Sequence, residues 1–427
     1  MRKILQFILK IFAKLVLKKY KPVIIAVTGS VGKTSTKEAI YHVLKTHFGE
    51  RQVRRNMRNY NNEIGVPLTI FGLETGGRSI FRWLIRFIKV SWMVIFKIPY
   101  PNFLILEMGA DRPGDIKYLV KFVHPKVGLI TALGEIPVHV EFFANPQQVA
   151  QEKKNLVKAL KEEEVAILNY DDEKVIEMAD DLKAKVLTYG LKEQADVRAI
   201  NYDLKINPDE QVSELNFKLE FKGSSVPVKL INVLGVQHLY SALAAAAVGV
   251  VFNMNSIEIA EALKEFQPLP GRMRLIRGIK NSLIIDDTYN AALLSMEAAI
   301  DSLEIFEDNP PVGEARRKIV VLGDMLEIGR YTAEAHQRIG KKAAEISDLI
   351  FAVGSRAKFI VEAAIKAGFP KGRIFHFMDS KEAGKAVQKE LKEEDIILVK
   401  GSRAMEMERI VKEIMAEPEK AKELLVN

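Results

Sequence analysis

The stretch formed by residues 23–48 constrains the fold more than any other part of the chain. It begins with apolar residues, continues through a loop that contains two glycines, and ends in apolar residues at helical spacing. This order predicts a buried strand, a loop and a helix. At such a joint, backbone N–H groups and the helix N-terminus face an anion, and the glycines let the main chain come close to it. The stretch therefore predicts a site for nucleotide phosphates.

The loop sequence assigns roles to particular side chains. We expect the phosphates of a nucleotide to be held by Gly29, Ser30, Val31, Gly32, Lys33, Thr34 and Ser35. Lys33 would reach the β and γ phosphates, and the Thr34 hydroxyl would bind Mg²⁺. A carboxylate at the C-terminal end of a neighbouring strand completes such a site, and Glu107 directly follows the apolar run 103–106. Glu107 is therefore predicted to be a Mg²⁺ ligand.

The composition narrows the possible chemistry and partners. The 427 residues include no cysteine, which excludes disulfides, thiolate zinc sites and a cysteine nucleophile and is compatible with a cytoplasmic location. The formal net charge of +8 favours anionic partners such as nucleotides, phosphosugars or lipid headgroups. No long basic run with interleaved aromatic residues is present, so nucleic acid is not an expected partner.

Two segments, 1–22 and 80–98, are basic and amphipathic. Each has apolar residues at helical spacing with lysines or arginines between them, and the second contains both tryptophans of the chain. The basic residues are too frequent for a membrane-spanning helix. Two alternatives remain: the segments pack on the protein body, or they lie in the interface of an anionic membrane. The second alternative predicts a peripheral location on the inner face of the membrane.

The alternation of apolar runs and helical stretches predicts an α/β fold with two domains. The first, at 23–268, would be a central P-loop-type ATPase domain with a mostly parallel sheet and the insertion 80–98. The second, at 269–427, would be a C-terminal, doubly wound, Rossmann-like domain. Ligands bind such sheets at the carboxyl ends of the strands.

Six motifs together resemble those of the Mur ligase family. They are GSVGKTS at 29–35, NNEIGVPLT at 61–69, LEMGA at 106–110, DDTYNA at 286–291, VLGDMLEIG at 321–329 and KGSR at 400–403. The resemblance implies ATP-dependent formation of an amide bond through an acyl phosphate. In this family one branch joins D-alanyl-D-alanine (D-Ala-D-Ala) to a UDP-N-acetylmuramoyl peptide, a step of peptidoglycan synthesis. The motifs at 61–69 and 321–329 favour that branch over the folate branch.

The resemblance also implies roles for residues that look unremarkable alone. His139 reads as a surface histidine and Lys153 as a solvated helix lysine, but they match the second-metal histidine of the family and the lysine that the family carries as a carbamate. The implied metal set for two Mg²⁺ ions is thus Thr34, Glu107, His139 and Lys153. Lys33, His139, Lys153 and Arg272 are the implied catalytic residues.

Further matches concern the nucleotide and the substrates. The resemblance places Arg272, Asp287 and Asn290 against ATP. Side chains expected to contact the substrates are Asn61, Asn62, Asp324, Ser402 and Arg403. Arg403 suits a carboxylate because its guanidinium can form two parallel hydrogen bonds.

The chain also departs from the family pattern. Family members usually carry a UDP-binding domain before the phosphate loop, whereas 22 residues precede the first predicted strand here, and a family glutamate is replaced by Asn155. Two alternatives to the D-Ala-D-Ala ligase therefore stay open. One is a ligase of the same fold for another carboxylate, as in folylpolyglutamate or cyanophycin synthesis. The other is a membrane-attached scaffold that binds ATP without forming amides.

Overall fold

The structure, a computed structural model, describes residues 2–57, 59–207, 212–306 and 316–426. Its strands form two β-sheets with helices packed on both, which confirms the predicted α/β class. The strands of the first sheet lie within residues 23–231 and those of the second within residues 274–400. We propose the domain division 23–268 and 269–427 because it keeps each sheet in one domain.

The first sheet contains nine strands within the described residues, in the order β2-β3-β1-β4-β5-β6-β7-β8-β9. Neighbours pair in parallel from β2 to β7, and the last three strands form antiparallel pairs. The strands are β1 (Val23–Thr28), β2 (Val53–Arg55), β3 (Phe103–Glu107), β4 (Val127–Ile130), β5 (Val165–Asn169), β6 (Lys185–Gly190), β7 (Val197–Asn207), β8 (Val212–Phe221) and β9 (Ser224–Ile231). β2 and β9 were not predicted from the sequence.

The helices of this first part cover both faces of the sheet. They are α1 (Arg2–Tyr20), α2 (Lys33–Phe48), α3 (Gly65–Phe71), α4 (Ile80–Ile95), α5 (Asp115–Val120), α6 (Pro146–Lys158), α7 (Glu173–Ile176), α8 (Val236–Val251) and α9 (Ser256–Leu263). The central strands β1 and β3 are almost wholly apolar and buried because parallel strands are covered on both faces. The carboxyl ends of these two strands meet at one edge of the sheet, where the phosphate loop begins.

The second sheet has the order β10-β11-β15-β12-β13-β14 within the part of the chain that the structure describes. It is parallel except for the pair β10 and β11. Its strands are β10 (Arg274–Arg277), β11 (Leu283–Asp287), β12 (Lys318–Gly323), β13 (Leu349–Val353), β14 (Ile374–Phe377) and β15 (Ile396–Lys400). The helices around it are α10 (Leu293–Asp301), α11 (Thr332–Ile346), α12 (Lys358–Lys366), α13 (Ser380–Glu390), α14 (Glu408–Ile414) and α15 (Ala421–Leu424).

The two amphipathic segments are the helices α1 and α4, which pack against each other and against the first sheet. One face of α1 is buried through Leu9, Ala13 and Val16, as the first alternative from the sequence requires. Lys19 Nζ donates hydrogen bonds to three carbonyl oxygens at the C-terminal end of α4, at distances of 2.6 to 3.0 Å. The opposite faces of both helices expose large apolar side chains. We call these two helices the helical platform.

Candidate active site

A polar cleft of about 300 Å³ lies where the phosphate loop faces the carboxyl ends of β11 and β15. Many of the predicted site residues line it. These are Ser30, Val31, Gly32, Lys33, Thr34, Ser35, Asn61, Glu107, His139, Arg272, Asp287, Asn290 and Arg403. Both sheets contribute walls, so a ligand in the cleft would contact both parts of the chain.

The phosphate loop wraps around the start of α2. Gly29 and Gly32 have φ angles of 150° and 86°, which an L side chain rarely adopts. A Cβ atom on Gly29 would lie 1.9 Å from the Thr131 hydroxyl oxygen, so the loop passes too close to β4 for any side chain there. Lys33 Nζ donates hydrogen bonds to the carbonyl oxygens of Gly29 and Ser30, at 2.9 and 3.3 Å. The ammonium group therefore lies over the concave side of the loop.

The Thr34 hydroxyl and the Glu107 carboxylate lie next to each other at the edge of the cleft. Thr34 Oγ1 donates a hydrogen bond of 2.9 Å to Glu107 Oε2, and Asn61 Nδ2 donates one of 3.1 Å to Oε1. Burial alone would raise the pKa of Glu107, but the charges of Lys33 and Lys37 and the bond from Asn61 outweigh it and lower the pKa. The carboxylate is thus held ionised, which suits a hard cation.

Lys153 lies beneath the phosphate loop and does not line the cleft directly. It extends from α6 and donates a hydrogen bond of 2.8 Å from Nζ to the carbonyl oxygen of Gly29. Only 1% of the residue is exposed. Burial, and next the charge of Lys33, hold the pKa of Lys153 well below its usual value. The Lys153 side chain therefore loses its proton more readily than an exposed lysine does.

His139 stands at the side of the cleft in a left-handed backbone conformation, with φ at 67°. Its Nδ1 lies 2.8 Å from Glu327 Oε2, and its Nε2 lies 3.6 Å from Asp111 Oδ1. The bond from His139 lowers the pKa of Glu327. Because Glu327 belongs to the motif at 321–329, this pair links the two sides of the cleft.

The second sheet supplies a cation and an anion that face each other. Lys400 Nζ lies 2.6 Å from Asp287 Oδ2 and donates a hydrogen bond of 2.9 Å to the carbonyl oxygen of Asn290. The Arg272 guanidinium lies 4.1 Å from the centre of the Tyr289 ring, within the range of a cation–π contact. These groups face the phosphate loop across the cleft.

Three predicted substrate residues do not line the cleft. Asp324 accepts hydrogen bonds from the backbone N–H groups of Arg356 and Ala357, and the Ser402 hydroxyl accepts one from Leu326 N at 2.9 Å. Asn62 Oδ1 accepts from the backbone at the start of α3, at 2.9 and 3.1 Å. These side chains fix the shape of loops, whereas Arg403 lines the cleft and pairs with Glu408 at 2.8 Å.

Among the titratable residues that line the cleft, four were not predicted as site residues: Asp111, His238, Tyr289 and Lys400. Tyr289 and Lys400 lie inside motifs that the sequence analysis identified. Asp287 and Lys400 are directly opposite each other in the register of β11 and β15. Their pairing could not be found from the sequence, because the sequence does not tell which strands are neighbours.

Oxygen ligands for Mg²⁺ are present at Thr34 and Glu107. No group of three or more histidine, aspartate or glutamate side chains that could hold a metal ion occurs among the described residues. An ion beside Thr34 and Glu107 would therefore rely on a hydroxyl, one carboxylate and oxygens of the nucleotide or water, as is usual for Mg²⁺ bound with phosphates.

His238 gives a pH-dependent prediction for stability. Its Nε2 lies 3.1 Å from the carbonyl oxygen of Arg272, and burial lowers its pKa to about 4 from the ordinary value of 6.5. Between these values the unfolded chain binds more protons, so stability falls as the pH falls through this window. Between pH 7 and pH 4.5 we expect the free energy of unfolding to fall by about 2 to 3 kcal/mol more in the parent protein than in His238→Gln. Urea unfolding at both pH values measures the difference.

The control for this prediction is His47→Gln, which removes an exposed histidine. It should retain the full acid-dependent loss of the parent. An equal loss in the parent and in His238→Gln would show that His238 does not become protonated on unfolding. Other buried groups titrate in both proteins and cancel in the comparison.

Comparisons with known proteins agree with this geometry. The family model of the Mur ligase middle domain matches residues 27–81 and 95–249, and that of the Mur ligase glutamate ligase domain matches residues 271–403. The match is interrupted at residues 82–94, which belong to α4.

Individual proteins and solved structures are also similar. The UDP-N-acetylmuramoyl-tripeptide–D-alanyl-D-alanine ligase of Bacillus subtilis is 31% identical over 407 residues, which are 95% of this chain and 79% of that protein. A MurF structure from Acinetobacter baumannii superposes with a TM-score of 0.76 at 25% identity, covering 95% of this chain and 79% of that one. The structure of MurF from Thermotoga maritima in complex with ADP superposes with a TM-score of 0.76 at 25% identity. The match covers 97% of this chain and 84% of that one. The chain therefore belongs to the Mur ligase family.

Proposed function

We propose that this protein is an ATP-dependent ligase that joins D-Ala-D-Ala to a UDP-N-acetylmuramoyl-tripeptide. The predicted activity is the one that the relative from Bacillus subtilis carries in its name. The observation that carries the proposal is the single cleft in which a phosphate loop, an ionised carboxylate and several cations converge. A scaffold that only binds ATP has no need of a second metal, so the presence of His139 and Lys153 argues against that alternative.

The reaction follows from the chemistry of carboxylates. A carboxylate is a poor acyl donor, so an oxygen of the tripeptide carboxylate attacks the γ-phosphorus of ATP, which gives an acyl phosphate and ADP. The amine of D-Ala-D-Ala then attacks the acyl carbon, a tetrahedral intermediate forms, and its collapse expels inorganic phosphate and leaves the amide. The amine loses its proton in this step. The protein contributes positioning and neutralisation of the charge on the phosphates.

Named residues support each part of this chemistry. Lys33 over the loop and Arg272 across the cleft would neutralise the transferred phosphoryl group. Thr34 and Glu107 would hold Mg²⁺, which supplies charge neutralisation at the β and γ phosphates. Asp287 and Asn290 would contact ATP from the second sheet. Arg403 would bind the carboxylate of the incoming dipeptide.

A second Mg²⁺ would be held by His139 and by a carbamate of Lys153. Carbon dioxide forms a carbamate only with a neutral amine. The lowered pKa of Lys153 favours that neutral amine, and the neighbouring charge of Lys33 would stabilise the resulting anion. The modification converts a buried cation into a carboxylate-like ligand, which an ammonium group cannot be.

An assay of phosphate release tests the activity. We expect release only when UDP-N-acetylmuramoyl-tripeptide, D-Ala-D-Ala, ATP and Mg²⁺ are all present. Control reactions replace the substrates by a folate carboxylate with glutamate. Release that does not depend on D-Ala-D-Ala would contradict the proposed function, and release with folate and glutamate would favour the other branch.

We also propose that the helical platform attaches the protein to an anionic membrane surface. Phe7 on α1 and Phe81 and Trp92 on α4 expose 64%, 79% and 57% of their surface. Neither α1 nor α4 contains an acidic residue, and each carries several basic ones. Apolar exposure combined with positive charge suits helices that lie in the interface of anionic lipid. Among the described helices none is long and apolar enough to cross a bilayer.

Binding to liposomes tests this attachment. We expect the parent protein to sediment with vesicles that contain phosphatidylglycerol, and the triple variant Phe81→Ser, Ile88→Ser, Trp92→Ser to partition at least about tenfold less. These side chains are exposed, so the variant should fold normally. Ile257→Ser, which changes an exposed residue of α9, is the matched control. Equal partition of the triple variant and the parent would refute the attachment.

A further inference from the structure

A second pocket of about 260 Å³ adjoins the active cleft. Its lining includes Gln6 of α1 and Tyr118 of α5. Asn61 and Asp111 line both this pocket and the cleft. The two spaces are therefore neighbours, and a long substrate could extend from one into the other.

Three lysines on α1 and at the end of α5 lie near one another, close to this pocket but outside its lining. Lys10 and Lys14 follow Gln6 at intervals of four residues, so the three side chains lie in one row along α1. Lys10 Nζ lies 4.5 Å from the centre of the Tyr118 ring, which is a wall of the pocket. Lys121 directly follows α5. We call Lys10, Lys14 and Lys121 the lysine cluster.

The lysine cluster is a concentration of positive charge, whereas the pocket beside it is lined by the carboxylates of Glu63, Asp111 and Asp115. Burial and then the charges of Lys14 and Lys121 lower the pKa of Lys10, so the Lys10 ammonium group lies close enough to both lysines to be repelled by them. In the part of the chain that the structure describes, none of the three forms an ion pair within 4.0 Å. An anion bound between these ammonium groups would reduce their mutual repulsion.

We propose that the lysine cluster binds the diphosphate of the carboxylate substrate, whose peptide reaches the active cleft through the second pocket. The inference rests on the proposed ligase function and adds a binding site to it. A diphosphate diester carries two negative charges and several acceptor oxygens, which three ammonium groups can satisfy by charge-assisted hydrogen bonds. The lining of the pocket between the cluster and the cleft includes side-chain amides and carboxylates, which offer hydrogen-bonding groups to an extended peptide.

Two kinds of substrate carry this chemistry. One is a nucleoside diphosphate sugar in solution, and the other is a sugar linked by a diphosphate to a polyprenyl chain in the membrane. The lysine row on α1 borders the exposed apolar stripe that contains Ile4, Phe7 and Ile11. A polyprenyl-linked substrate could thus lie with its chain in the bilayer and its diphosphate on the cluster.

The experiment removes the three charges and measures KM. The variant is Lys10→Gln, Lys14→Gln, Lys121→Gln, and the matched control is Lys341→Gln, Lys366→Gln, Lys389→Gln, which changes three exposed lysines of the second domain. With UDP-N-acetylmuramoyl-tripeptide we expect the KM of the cluster variant to rise at least about tenfold with kcat nearly unchanged. With the same muramyl tripeptide lacking the diphosphate and the nucleoside, the variant and the parent should have equal KM values.

A second arm identifies the source of the diphosphate. It uses the polyprenyl-diphosphate-linked tripeptide in phosphatidylglycerol vesicles, and a rise in KM there assigns the cluster to the membrane-linked substrate. The proposal is supported if the KM of the cluster variant rises with either diphosphate-linked substrate and does not rise with the muramyl tripeptide that lacks the diphosphate. No rise in both arms, or an equal rise with and without the diphosphate, would overturn it.

Equilibrium binding separates this proposal from the ligase function. If the parent protein turns over neither substrate, the proposed ligase function fails. Calorimetry in the absence of ATP then measures the binding of each diphosphate-linked tripeptide to the parent and to the cluster variant. The comparison shows whether the lysine cluster binds the diphosphate. Thermal unfolding of both proteins checks that the variant is folded.

Discussion

Replacing Lys153 with alanine is expected to lower the rate of ligation at least about 1,000-fold and to leave ADP affinity within about threefold. The side chain is buried beneath the phosphate loop and its Nζ is 2.8 Å from the carbonyl oxygen of Gly29. As a carbamate it would carry negative charge to the second Mg²⁺, a role that alanine cannot fill. ADP would still contact the loop, because the loop backbone and Lys33 remain. Single-turnover phosphate release and calorimetric titration with ADP measure the two quantities.

The neighbouring lysine provides the control. Lys154 is also buried, but it pairs with Asp181 at 3.0 Å and does not line the cleft. Lys154→Ala should lose stability and keep a ligation rate near that of the parent. If both variants lose activity equally, the effect comes from damage to α6 rather than from the chemistry of Lys153.

Chemical rescue distinguishes the carbamate from a plain ammonium group. Acetate or propionate can enter the cavity left by alanine and restore a carboxylate ligand, whereas methylamine restores a cation. We expect carboxylates to recover part of the activity of Lys153→Ala and amines to recover none. Rescue by amines alone would show that the lysine acts as a cation, and full activity of the alanine variant without any addition would exclude a role in catalysis.

The parts of the site that could be predicted from the sequence are those set by local order or by strand ends. The strand, loop and helix around Lys33 are consecutive, so the pattern at 23–48 is sufficient to predict them. The position of Glu107 was predictable because the carboxyl ends of parallel strands meet at one edge of a sheet. The structure adds that β1 and β3 are direct neighbours.

Other parts depend on contacts between distant segments. Lys153 contacts Gly29, which is 124 positions earlier in the chain, and nothing in the local sequence of α6 indicates this contact. Only the resemblance to a family suggested its role. The pairing of Asp287 with Lys400 depends on the position of β15 next to β11, which the order of the strands in the chain does not determine. Asp324 and Ser402 lie in recognisable motifs, but the structure gives their side chains backbone partners.

For the helical platform, the sequence predicted the helices but not which part of their apolar surface is buried. The pattern of α1 and α4 predicted amphipathic helices and left two alternatives, and each helix has one face on the protein body and one exposed. An apolar helix pattern does not tell which part of its apolar surface is covered, because a wide apolar face can serve two neighbours at once. Only the packing against the sheet separates the buried stripe from the exposed one.

Replacing Glu107 with glutamine is expected to lower kcat at least about 1,000-fold at physiological Mg²⁺. The change keeps the size of the side chain and removes the negative charge of the carboxylate, which Lys33 and Lys37 stabilise. A glutamine amide is a weaker Mg²⁺ ligand than a carboxylate, so the apparent Mg²⁺ requirement should rise as well. Phosphate release measured over a range of Mg²⁺ concentrations gives both quantities.

Glu164→Gln is the matched control because Glu164 is equally buried and lies outside the cleft. Its carboxylate accepts a hydrogen bond of 2.8 Å from Lys161 N and pairs with Lys126 at 3.4 Å. This variant should lose stability and keep both kcat and the Mg²⁺ requirement of the parent. A Glu107→Gln enzyme with an unchanged Mg²⁺ requirement would show that the carboxylate only orders Thr34 and Asn61. In that case the metal would be held by the nucleotide and Thr34, and the pairing of Thr34 with Glu107 would be a structural contact of the loop.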